Sequence, residues 1–322
     1  MLATTETAFE TTACLLCGST RTHDQHSGPD YLMHLPGTFY LVRCEECGLI
    51  YQNPRPSLQQ VGHYYPDDYG SYNSAQQGLR TRRGLMRLVV QRGQAKRCRL
   101  LDRSVPAVPG RPRRLLDVGC ASGLFLEAMQ QYGWSVEGVE LNETAARTTS
   151  ARLGVPVFAG PLEQAHYSDA SFDAVTLWDV LEHLHDPLAS LRELRRLLHP
   201  GGALFVRVPN ADSYVARIWG RYWVGYDLPR HMTVFTPRTL LRALARTGFD
   251  WPLHMFSSAS YLTTLHSLRF ALDDGRLPPQ RAAAIHQVFL HPIARAVAWL
   301  PFTLADQIKD GAALEVLTLT RK

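Results

Sequence analysis

At 322 residues, 45% of them hydrophobic and 20% charged, the chain has the composition of an ordinary globular protein with room for one large domain and one small one. Its formal net charge of +5 is mild, which argues against a surface built mainly for nucleic acid. No apolar run approaches the ~18 residues that span a membrane, and no signal-peptide pattern opens the sequence, so we expect a cytoplasmic protein.

Four cysteines near the N-terminus have the spacing of a metal site. They form two Cys-x-x-Cys-Gly segments, at residues 14–18 and 44–48. A gap of two residues lets both thiolates reach one tetrahedral Zn²⁺ at about 2.3 Å, and the glycine permits the turn whose N–H groups face the sulfurs. We therefore predict a zinc ribbon over residues 1–56, with residues 31–43 as a hairpin arm and a structural, non-catalytic Zn²⁺ bound by Cys14, Cys17, Cys44 and Cys47.

Residues 57–110 are predicted to form a helical lid or linker. A tyrosine-rich segment comes first, in which Tyr65 and Tyr69 are candidates for a lid or a substrate contact, although packing explains most tyrosines of this kind. A basic helix then runs to about residue 102. Its basic residues, concentrated in 80–103, form either a solvated helix face or a surface for an acidic or phosphate-bearing substrate or membrane.

The segment around Leu115 predicts a strand, a tight turn and a helix. A short apolar run meets Gly119 and Gly123, and an apolar pattern of helical period follows. Glycines at such a turn let the backbone pass close to a ligand, and the first N–H groups of the helix can face it. The spacing matches neither the Gly-x-Gly-x-x-Gly motif that binds a pyrophosphate nor the P-loop. We therefore expect a nucleotide-like ligand that is not bound through phosphate.

Strands and helices alternate after residue 113, which predicts a doubly wound, mostly parallel sheet with ligands at the carboxyl ends of its strands. The second strand ends at Glu140, about 20 residues beyond the turn, where an acid accepts hydrogen bonds from the two hydroxyls of a ribose. Adenosine fits such a site. The pattern predicts strands at residues 135–140, 155–158, 172–178 and 203–208, and a helix at residues 188–198.

A helical insertion at about residues 260–312 separates the last two predicted strands, at residues 251–257 and 314–320. Its helices are predicted at residues 262–272, 279–290 and 292–308. The apolar surface of residues 292–308 either packs on the sheet or on a partner, or makes a peripheral membrane contact. The oligomeric state is left open.

Four motifs in this order resemble the class I S-adenosylmethionine-dependent methyltransferases. They are Leu-Leu-Asp-Val-Gly-Cys-Ala-Ser-Gly at 115–123, Val-Glu-Gly-Val-Glu at 136–140, Phe-Asp-Ala-Val at 172–175 with Asp-Val-Leu-Glu-His-Leu at 179–184, and Leu-His-Pro-Gly-Gly at 198–202. The resemblance covers residues 113 to about 250. It implies a Rossmann-like seven-stranded methyltransferase domain over residues 111–322 with S-adenosylmethionine as its cofactor.

Carried over to this sequence, the resemblance implies the cofactor contacts residue by residue. The turn residues Gly119, Cys120 and Gly123 would line the methionine and ribose portion, Asp117 would lie near the methionine amine, and Glu140 would hold the ribose hydroxyls. The adenine would meet the backbone N–H of Leu162. The remaining predicted cofactor contacts are Leu141, Trp178 and Asp179.

The zinc ribbon, the tyrosine segment and residues 227–236 resemble bacterial methyltransferases of sugar and cell-surface polysaccharide biosynthesis, including zinc-ribbon C-methyltransferases that act on nucleotide-linked keto-sugars. In that subgroup a Glu-His pair precedes an aromatic segment, and the His is the expected base. Here His231 is present, but Arg230 stands where the Glu would be, so His231 loses a carboxylate that would orient it. Asp227 is the candidate substitute, His183 is a candidate active-site contact, and Glu182 is expected to be structural. Glu182 and His183 are both predicted to lie on the helix after the fourth strand.

The sequence thus predicts C- or O-methylation of a small polar acceptor, with a sugar or glycan precursor favoured and His231 assisting deprotonation. Two alternative hypotheses about the function remain open. An RNA acceptor, less expected because of the modest charge, is kept open by the basic residues 80–103. A non-catalytic protein that binds S-adenosylmethionine is the other.

Overall fold

The computed structural model describes residues 8–65, 85–107, 109–275, 277–291, 297, 301–302, 304–307 and 310–321. Tyr69 lies outside these residues, and so does most of the predicted helix at 292–308 with the membrane contact considered for it. Within the described ranges, no helix is both long enough and apolar enough to cross a membrane.

The N-terminal ribbon is built from five short strands. They are β1 (Phe9–Glu10), β2 (Thr22–Gly28), β3 (Phe39–Cys44), β4 (Ile50–Gln52) and β5 (Arg55–Pro56). Strands β2 and β3 form an antiparallel hairpin, β4 pairs with β3, and β1 pairs with β5. The hairpin brings together the two ribbon segments that carry the cysteines, residues 14–17 and 44–47.

A seven-stranded sheet forms the body of the protein, and the predicted fold class is confirmed. Its strands are β6 (Arg114–Val118), β7 (Ser135–Glu140), β8 (Val157–Ala159), β9 (Phe172–Trp178) and β10 (Leu198–Pro209), followed after β11 (Thr233–Val234) by β12 (His254–Ser258) and β13 (Ala313–Leu319). The order is β12-β13-β10-β9-β6-β7-β8, and every pairing is parallel except those of β13.

Helices cover both faces of this sheet. The helices are α1 (Leu85–Ser104), α2 (Leu124–Gln131), α3 (Glu143–Leu153), α4 (Pro187–Leu197), α5 (Tyr214–Trp219), α6 (Pro237–Arg246), α7 (Ser260–Asp273) and α8 (Pro279–Leu290). Successive side chains of a strand point to opposite faces. Leu115 therefore packs in the core with α1 and α2, whereas Leu116 packs in the core that α4, α6 and the ribbon share.

Some boundaries differ from those predicted. Strand β10 begins at Leu198, directly after α4, because Leu198 pairs with Phe172 and a bulge then separates it from Ala203. Glu182 and His183 lie in a single 3₁₀ turn, Leu181–His183, rather than on a longer helix. The turn stops there because Asp186 caps α4 and Pro187 begins it.

The ribbon is joined to the body of the protein by shared β-structure. Strand β11 pairs with β4, so a four-stranded antiparallel sheet contains three ribbon strands and one strand from the C-terminal half. Gln52 of β4 also donates to the carbonyl oxygens of Pro229 and His231, at 2.8 and 2.9 Å. The segment that carries His231 is thus held by the ribbon.

Candidate active site

The carboxyl ends of three adjacent strands form one edge of the sheet. In the register, Val118 of β6 pairs with Val139 of β7 on one side and with Leu177 of β9 on the other. Gly119, Glu140 and Asp179 therefore follow at the same edge. These are residues that the sequence motifs assign to the cofactor, and the fold brings them together.

The glycine turn after β6 is shaped by packing. The N–H groups of Gly119 and Cys120 both donate to the carbonyl oxygen of Val139, at 2.8 and 3.1 Å. Gly119 has φ +71°, and a Cβ there would lie 2.5 Å from a methyl carbon of Val180. Gly123, at φ +68°, begins α2 in the same crowded way, with Thr149 at 2.5 Å. A side chain at either position would push these neighbours away.

Glu140 is buried at the end of β7 and is oriented by the backbone. Its two carboxylate oxygens accept from the N–H groups of Ala121 and Asn142, both at 2.9 Å. Burial raises the pKa of Glu140, and these N–H groups oppose the rise. Leu141, the next residue, is 66% exposed. A fixed carboxylate beside an exposed apolar side chain suits a ribose with an attached base.

Asp117 is a buried acid near the same edge. The hydroxyl of Thr176 donates to it at 2.6 Å. Burial raises the pKa of Asp117 to about 7, the hydroxyl of Thr176 opposes the rise, and the charge of Glu140 adds to it. A cation placed beside this carboxyl would favour its ionised form.

The other residues that the sequence assigned to the cofactor lie around this edge. Leu162 is buried and begins a 3₁₀ turn. The loop before this turn is hydrogen-bonded to β7, since the N–H of Gly160 donates to the carbonyl oxygen of Glu140 at 2.9 Å. The Trp178 ring packs between Phe125 and Phe205, with centroids 4.8 and 4.7 Å away. Asp179, at φ +56°, forms an ion pair with Arg207 at 2.7 Å.

Two histidines and a tyrosine from distant parts of the chain meet beside this edge. The rings of His183 and His231 lie edge to face, with centroids 4.6 Å apart. The hydroxyl of Tyr65 lies 2.8 Å from Nδ1 of His183. Burial, aided by His231, lowers the pKa of His183 to about 3, and burial lowers that of His231 although the charge of Asp227 opposes this. Both rings are therefore neutral at pH 7.

The tautomer of His231 follows from its hydrogen bond. Its Nδ1 lies 2.8 Å from the carbonyl oxygen of Gly225. A carbonyl oxygen only accepts, so Nδ1 carries the proton and Nε2 keeps the lone pair. Asp227, the residue suggested as a substitute for the missing Glu, lies 3.9 Å from Nε2. It therefore does not occupy the orienting position at Nδ1, which a backbone carbonyl fills.

Arg230 links the ribbon to the histidine segment through buried charges. Its guanidinium is fully buried and donates to both oxygens of Asp30 in the ribbon and to Asp227. Burial would raise the pKa of Asp227, but the Arg230 charge outweighs it and lowers that pKa. The arginine that replaces the expected Glu is thus the centre of an Asp30–Arg230–Asp227 triad.

The structure contains residues of this site that the sequence did not indicate. Asp30 and Gly225 have no motif around them, and Asp30 lies 200 residues from its partner Arg230. A small cavity of about 10 Å³, roughly the space of one water molecule, lies beside Asp227 of the triad. It is lined by His26, Pro29, Tyr31, Arg221, Trp223, Tyr226, Asp227, Leu228 and Phe270.

The four ribbon cysteines form one cluster. Sγ of Cys14 lies 3.4 Å from Sγ of Cys47, and Sγ of Cys17 lies 3.5 Å from Sγ of Cys44. All four sulfurs lie within 4.8 Å of one another. A tetrahedral ion with bonds of 2.3 Å needs sulfurs about 3.8 Å apart, so the cluster fits a Zn²⁺ after a small expansion.

Comparison with known proteins identifies the family of this chain. Residues 90–251 match the family model described as a methyltransferase domain. The chain is 33% identical over 126 residues to the ubiquinone biosynthesis O-methyltransferase of Pseudomonas aeruginosa LESB58, covering 37% of this chain and 54% of that one. The corresponding values for the protein of the same name from Xanthomonas campestris pv. campestris B100 are 36%, 153 residues, 44% and 63%. The chain thus spans about half to two thirds of the length of these relatives.

Two further similarities have wider coverage. The ubiquinone biosynthesis O-methyltransferase of Thiobacillus denitrificans is 31% identical over 184 residues, which cover 53% of this chain and 79% of the relative. Among solved structures, a putative sarcosine dimethylglycine methyltransferase from Galdieria sulphuraria aligns with a TM-score of 0.49 and 14% identity, over 73% of this chain and 86% of that one.

Proposed function

Because the chain belongs to the methyltransferase domain family, whose model matches residues 90–251, we propose that it transfers the methyl group of S-adenosylmethionine to a hydroxyl group of a small polar acceptor. The observation that carries the proposal is the meeting of two sites at one sheet edge. Asp117 and Glu140 lie there, each oriented by hydrogen bonds within the protein, and the neutral imidazoles of His183 and His231 lie beside them.

The residues present fit S-adenosylmethionine. Glu140 is held by two backbone N–H groups, and each of its oxygens keeps a lone pair for a ribose hydroxyl. Leu141 offers an exposed apolar face for the adenine, and the loop of Leu162 runs beside it. Asp117 would receive the ammonium of the methionine portion. Gly119, Cys120, Gly123, Trp178 and Asp179 complete the proposed binding set. When bound, the cofactor supplies an activated methyl group on a sulfonium.

Oxygen is the proposed methylated atom because of the surroundings of His231. Removal of a proton from carbon requires a strong base, and a carboxylate at Nδ1 would raise the basicity of the imidazole. Here a carbonyl faces Nδ1, and Arg230 is committed to Asp30 and Asp227. His231 is therefore suited to assist the deprotonation of a hydroxyl. The similar proteins named O-methyltransferases support the same atom.

The proposed acceptor is a sugar or glycan precursor that enters beside Asp227. The side chains around the small cavity there include the aromatic rings of Tyr31 and Trp223 and the guanidinium of Arg221. Aromatic faces with a few directed polar groups suit a sugar ring. A phenol is the second candidate, because the relatives are named for ubiquinone biosynthesis.

The ribbon is proposed to bind a structural Zn²⁺ through Cys14, Cys17, Cys44 and Cys47. Burial raises the pKa of Cys14, while N–H groups of Leu16 and Cys17 that face its sulfur oppose the rise. A buried thiolate cluster of this kind requires a cation. The role proposed for the ion is to hold the ribbon against the histidine segment, since no open coordination position remains for chemistry.

The test uses the full chain in two separate measurements. Calorimetry should give binding of S-adenosylmethionine at about one molecule per chain. Radiolabelled methyl transfer is then measured with a panel of nucleotide-linked sugars and a panel of catechols and other phenols. Transfer to sugar hydroxyls supports the proposal, and transfer confined to phenols selects the second acceptor class. Absence of cofactor binding would overturn the assignment as a methyltransferase.

A further inference from the structure

Glu182 is a buried carboxylate for which the proposed methyl transfer gives no role. It is fully buried in the 3₁₀ turn after β9, and neither of its oxygens has a hydrogen-bond partner among the described residues. A buried ionised carboxylate without a partner costs several kcal/mol. Such a group is either kept protonated or matched by a cation that binds there.

The neighbouring imidazoles are arranged as metal ligands. Nδ1 of His231 lies 2.8 Å from the Gly225 carbonyl oxygen, and Nδ1 of His183 lies 3.1 Å from the Arg230 carbonyl oxygen. The Tyr65 hydroxyl also lies 2.8 Å from Nδ1 of His183, but a hydroxyl can accept a hydrogen bond whereas a carbonyl oxygen cannot donate one. The proton is therefore assigned to Nδ1 in both rings, which leaves both Nε2 atoms with lone pairs. Histidines that bind metals are oriented in this way, by donation of the other ring N–H to a carbonyl or carboxylate.

We propose that Glu182, His183 and His231 bind a divalent transition-metal cation, separate from the ion of the ribbon. A carboxylate oxygen of Glu182 and one ring nitrogen of each histidine lie within 4.8 Å of one another. One carboxylate and two neutral imidazoles form a known ligand set for Zn²⁺, Fe²⁺ and Mn²⁺. Three protein ligands leave positions open for water and for an acceptor oxygen.

The charges around this site favour a cation. The nearby guanidinium groups are each committed to carboxylates, Arg207 to Asp179 and Arg230 to Asp30 and Asp227. Their positive charges are therefore already balanced by carboxylates other than Glu182. The remaining charge of the three ligands is the single negative charge of an ionised Glu182, which a divalent cation would match.

This inference rests on the proposed methyl transfer and gives the acceptor hydroxyl a binding point. A hydroxyl oxygen that coordinates the cation loses its proton more readily. The O–H bond breaks and the proton passes to solvent water. The oxygen then forms a bond to the methyl carbon, while the carbon–sulfur bond breaks and its electron pair stays on sulfur. His231 thus assists deprotonation as a ligand of the cation rather than by taking the proton itself.

Titration with Mn²⁺, followed by electron paramagnetic resonance, tests the site in the full chain. Mn²⁺ prefers oxygen and imidazole ligands to thiolates, so the ribbon cysteines do not compete for it. The wild type should bind one Mn²⁺, and Glu182→Gln should weaken that binding at least about tenfold. Glu143→Gln, which changes an exposed carboxylate on α3, should bind as the wild type does. His183→Asn is a second variant should Glu182→Gln fail to fold.

The outcomes separate this inference from the proposed function. Mn²⁺ bound with equal affinity by the wild type and by both ligand variants, or no binding at millimolar Mn²⁺, overturns the metal site. S-adenosylmethionine binding is measured on the same samples by calorimetry. Cofactor binding without Mn²⁺ binding removes the metal site alone, whereas Mn²⁺ binding without cofactor binding supports the metal site and removes the methyltransferase assignment.

Discussion

The proposed cofactor edge and the histidine site lie next to each other but are built in different ways. The cofactor edge, with Asp117, Gly119 and Glu140, comes from a single strand-turn-helix-strand segment, and its contacts are mainly local. The histidine site combines Tyr65, His183 and His231 with a triad that reaches back to Asp30. The first site is a property of one motif, and the second is a property of the tertiary structure.

This difference predicts that the two sites can be damaged independently. Changes at the proposed cofactor edge should alter the binding of S-adenosylmethionine, because Glu140 and the glycine turn are its proposed contacts. Changes at the histidine site should alter transfer or stability and leave cofactor affinity nearly intact. Variants that mix these effects would show that the two sites form one cooperative unit.

The largest effect is expected for His231→Asn. The variant loses the Nε2 lone pair, whether that atom accepts a proton or binds a cation, so kcat/KM for transfer should fall by about 10²–10⁴-fold. The Kd for S-adenosylmethionine, measured by calorimetry, should stay within about twofold of the wild type, a change well under 1 kcal/mol. His254→Asn, at an exposed position on β12, is the control. Unchanged transfer in His231→Asn would exclude any chemical role for this residue.

The second effect concerns the link between ribbon and body. Arg230→Met leaves the carboxylates of Asp30 and Asp227 buried without their cation. We expect the free energy of unfolding, measured with urea, to fall by about 3–5 kcal/mol.

Arg246→Met is the matched control for this link. Arg246 also reaches the ribbon, through the Leu16 carbonyl oxygen, but it is exposed. Its loss should change stability by less than about 1 kcal/mol. Equal losses in the two variants would show that the buried triad has no special weight.

The same contrast explains what could be predicted from the sequence. The strands of the sheet, the glycine turn and the position of Glu140 follow from local periodicity and spacing. The structure contains all of them, although β8, β10 and β12 differ from the predicted bounds 155–158, 203–208 and 251–257. The sequence predicts helix α8 with the bounds Pro279–Leu290 that the structure shows. The sequence also singled out His183 and His231, but only through a family resemblance.

The remaining features depend on contacts between distant residues. In the sequence, Arg230 indicates only that the expected Glu is absent. Its pairing with Asp30, 200 residues away, has no local signature. The strand β11 is too short to be recognised by pattern, yet it ties the ribbon to the histidine segment. The sequence predicts a helix at Glu182, but the structure has only a 3₁₀ turn there. The next helix, α4, begins at Pro187 with Asp186 as its cap, and this boundary is clear only when both residues are considered together.

At the proposed cofactor edge, Glu140→Gln should weaken the binding of S-adenosylmethionine. The amide is neutral and keeps only one acceptor oxygen, so both proposed ribose hydroxyls lose a charged partner and one loses its acceptor. The amide NH2 also faces the backbone N–H of Ala121 or Asn142, which loses its acceptor. A hydrogen bond to a charged group contributes about 1.5–3 kcal/mol, so the Kd for S-adenosylmethionine should rise about 10–150-fold.

Glu137→Gln on the same strand is the control for Glu140. Glu137 pairs with Arg114 at the opposite end of the β6–β7 pair, away from the turn. Its Kd should match that of the wild type. A Kd in Glu140→Gln that stays at the wild-type value would show that Glu140 only orders the turn through Ala121 and Asn142.

A pH dependence of the stability separates the two ends of the sheet. Burial raises the pKa of Asp117 from 3.8 to about 7. The folded protein therefore binds a proton that the unfolded chain releases in this window, and the stability of the wild type should fall as pH rises from about 4 to about 7. Asp117→Asn keeps an acceptor for Thr176 and does not titrate. Relative to the wild type, it should gain up to about 3 kcal/mol between about pH 5 and about pH 8.

Asp173→Asn at the amino end of β9 is the control with the opposite sign. Burial would raise the pKa of Asp173, but Arg111 and the N–H of Arg114 outweigh it and lower that pKa. Its contribution is present above the unfolded pKa of 3.8 and is lost only as pH falls through the lower folded value. The free energy of unfolding of Asp173→Asn, measured with urea, should therefore run parallel to that of the wild type between about pH 5 and about pH 8.

The effect of S-adenosylmethionine is a further test of Asp117. Its ammonium would stabilise an ionised Asp117, so the cofactor should flatten the pH slope of the wild-type stability and leave the pH slope of Asp117→Asn unchanged. Parallel profiles for Asp117→Asn and the wild type without cofactor would mean that Asp117 is already ionised in the folded protein.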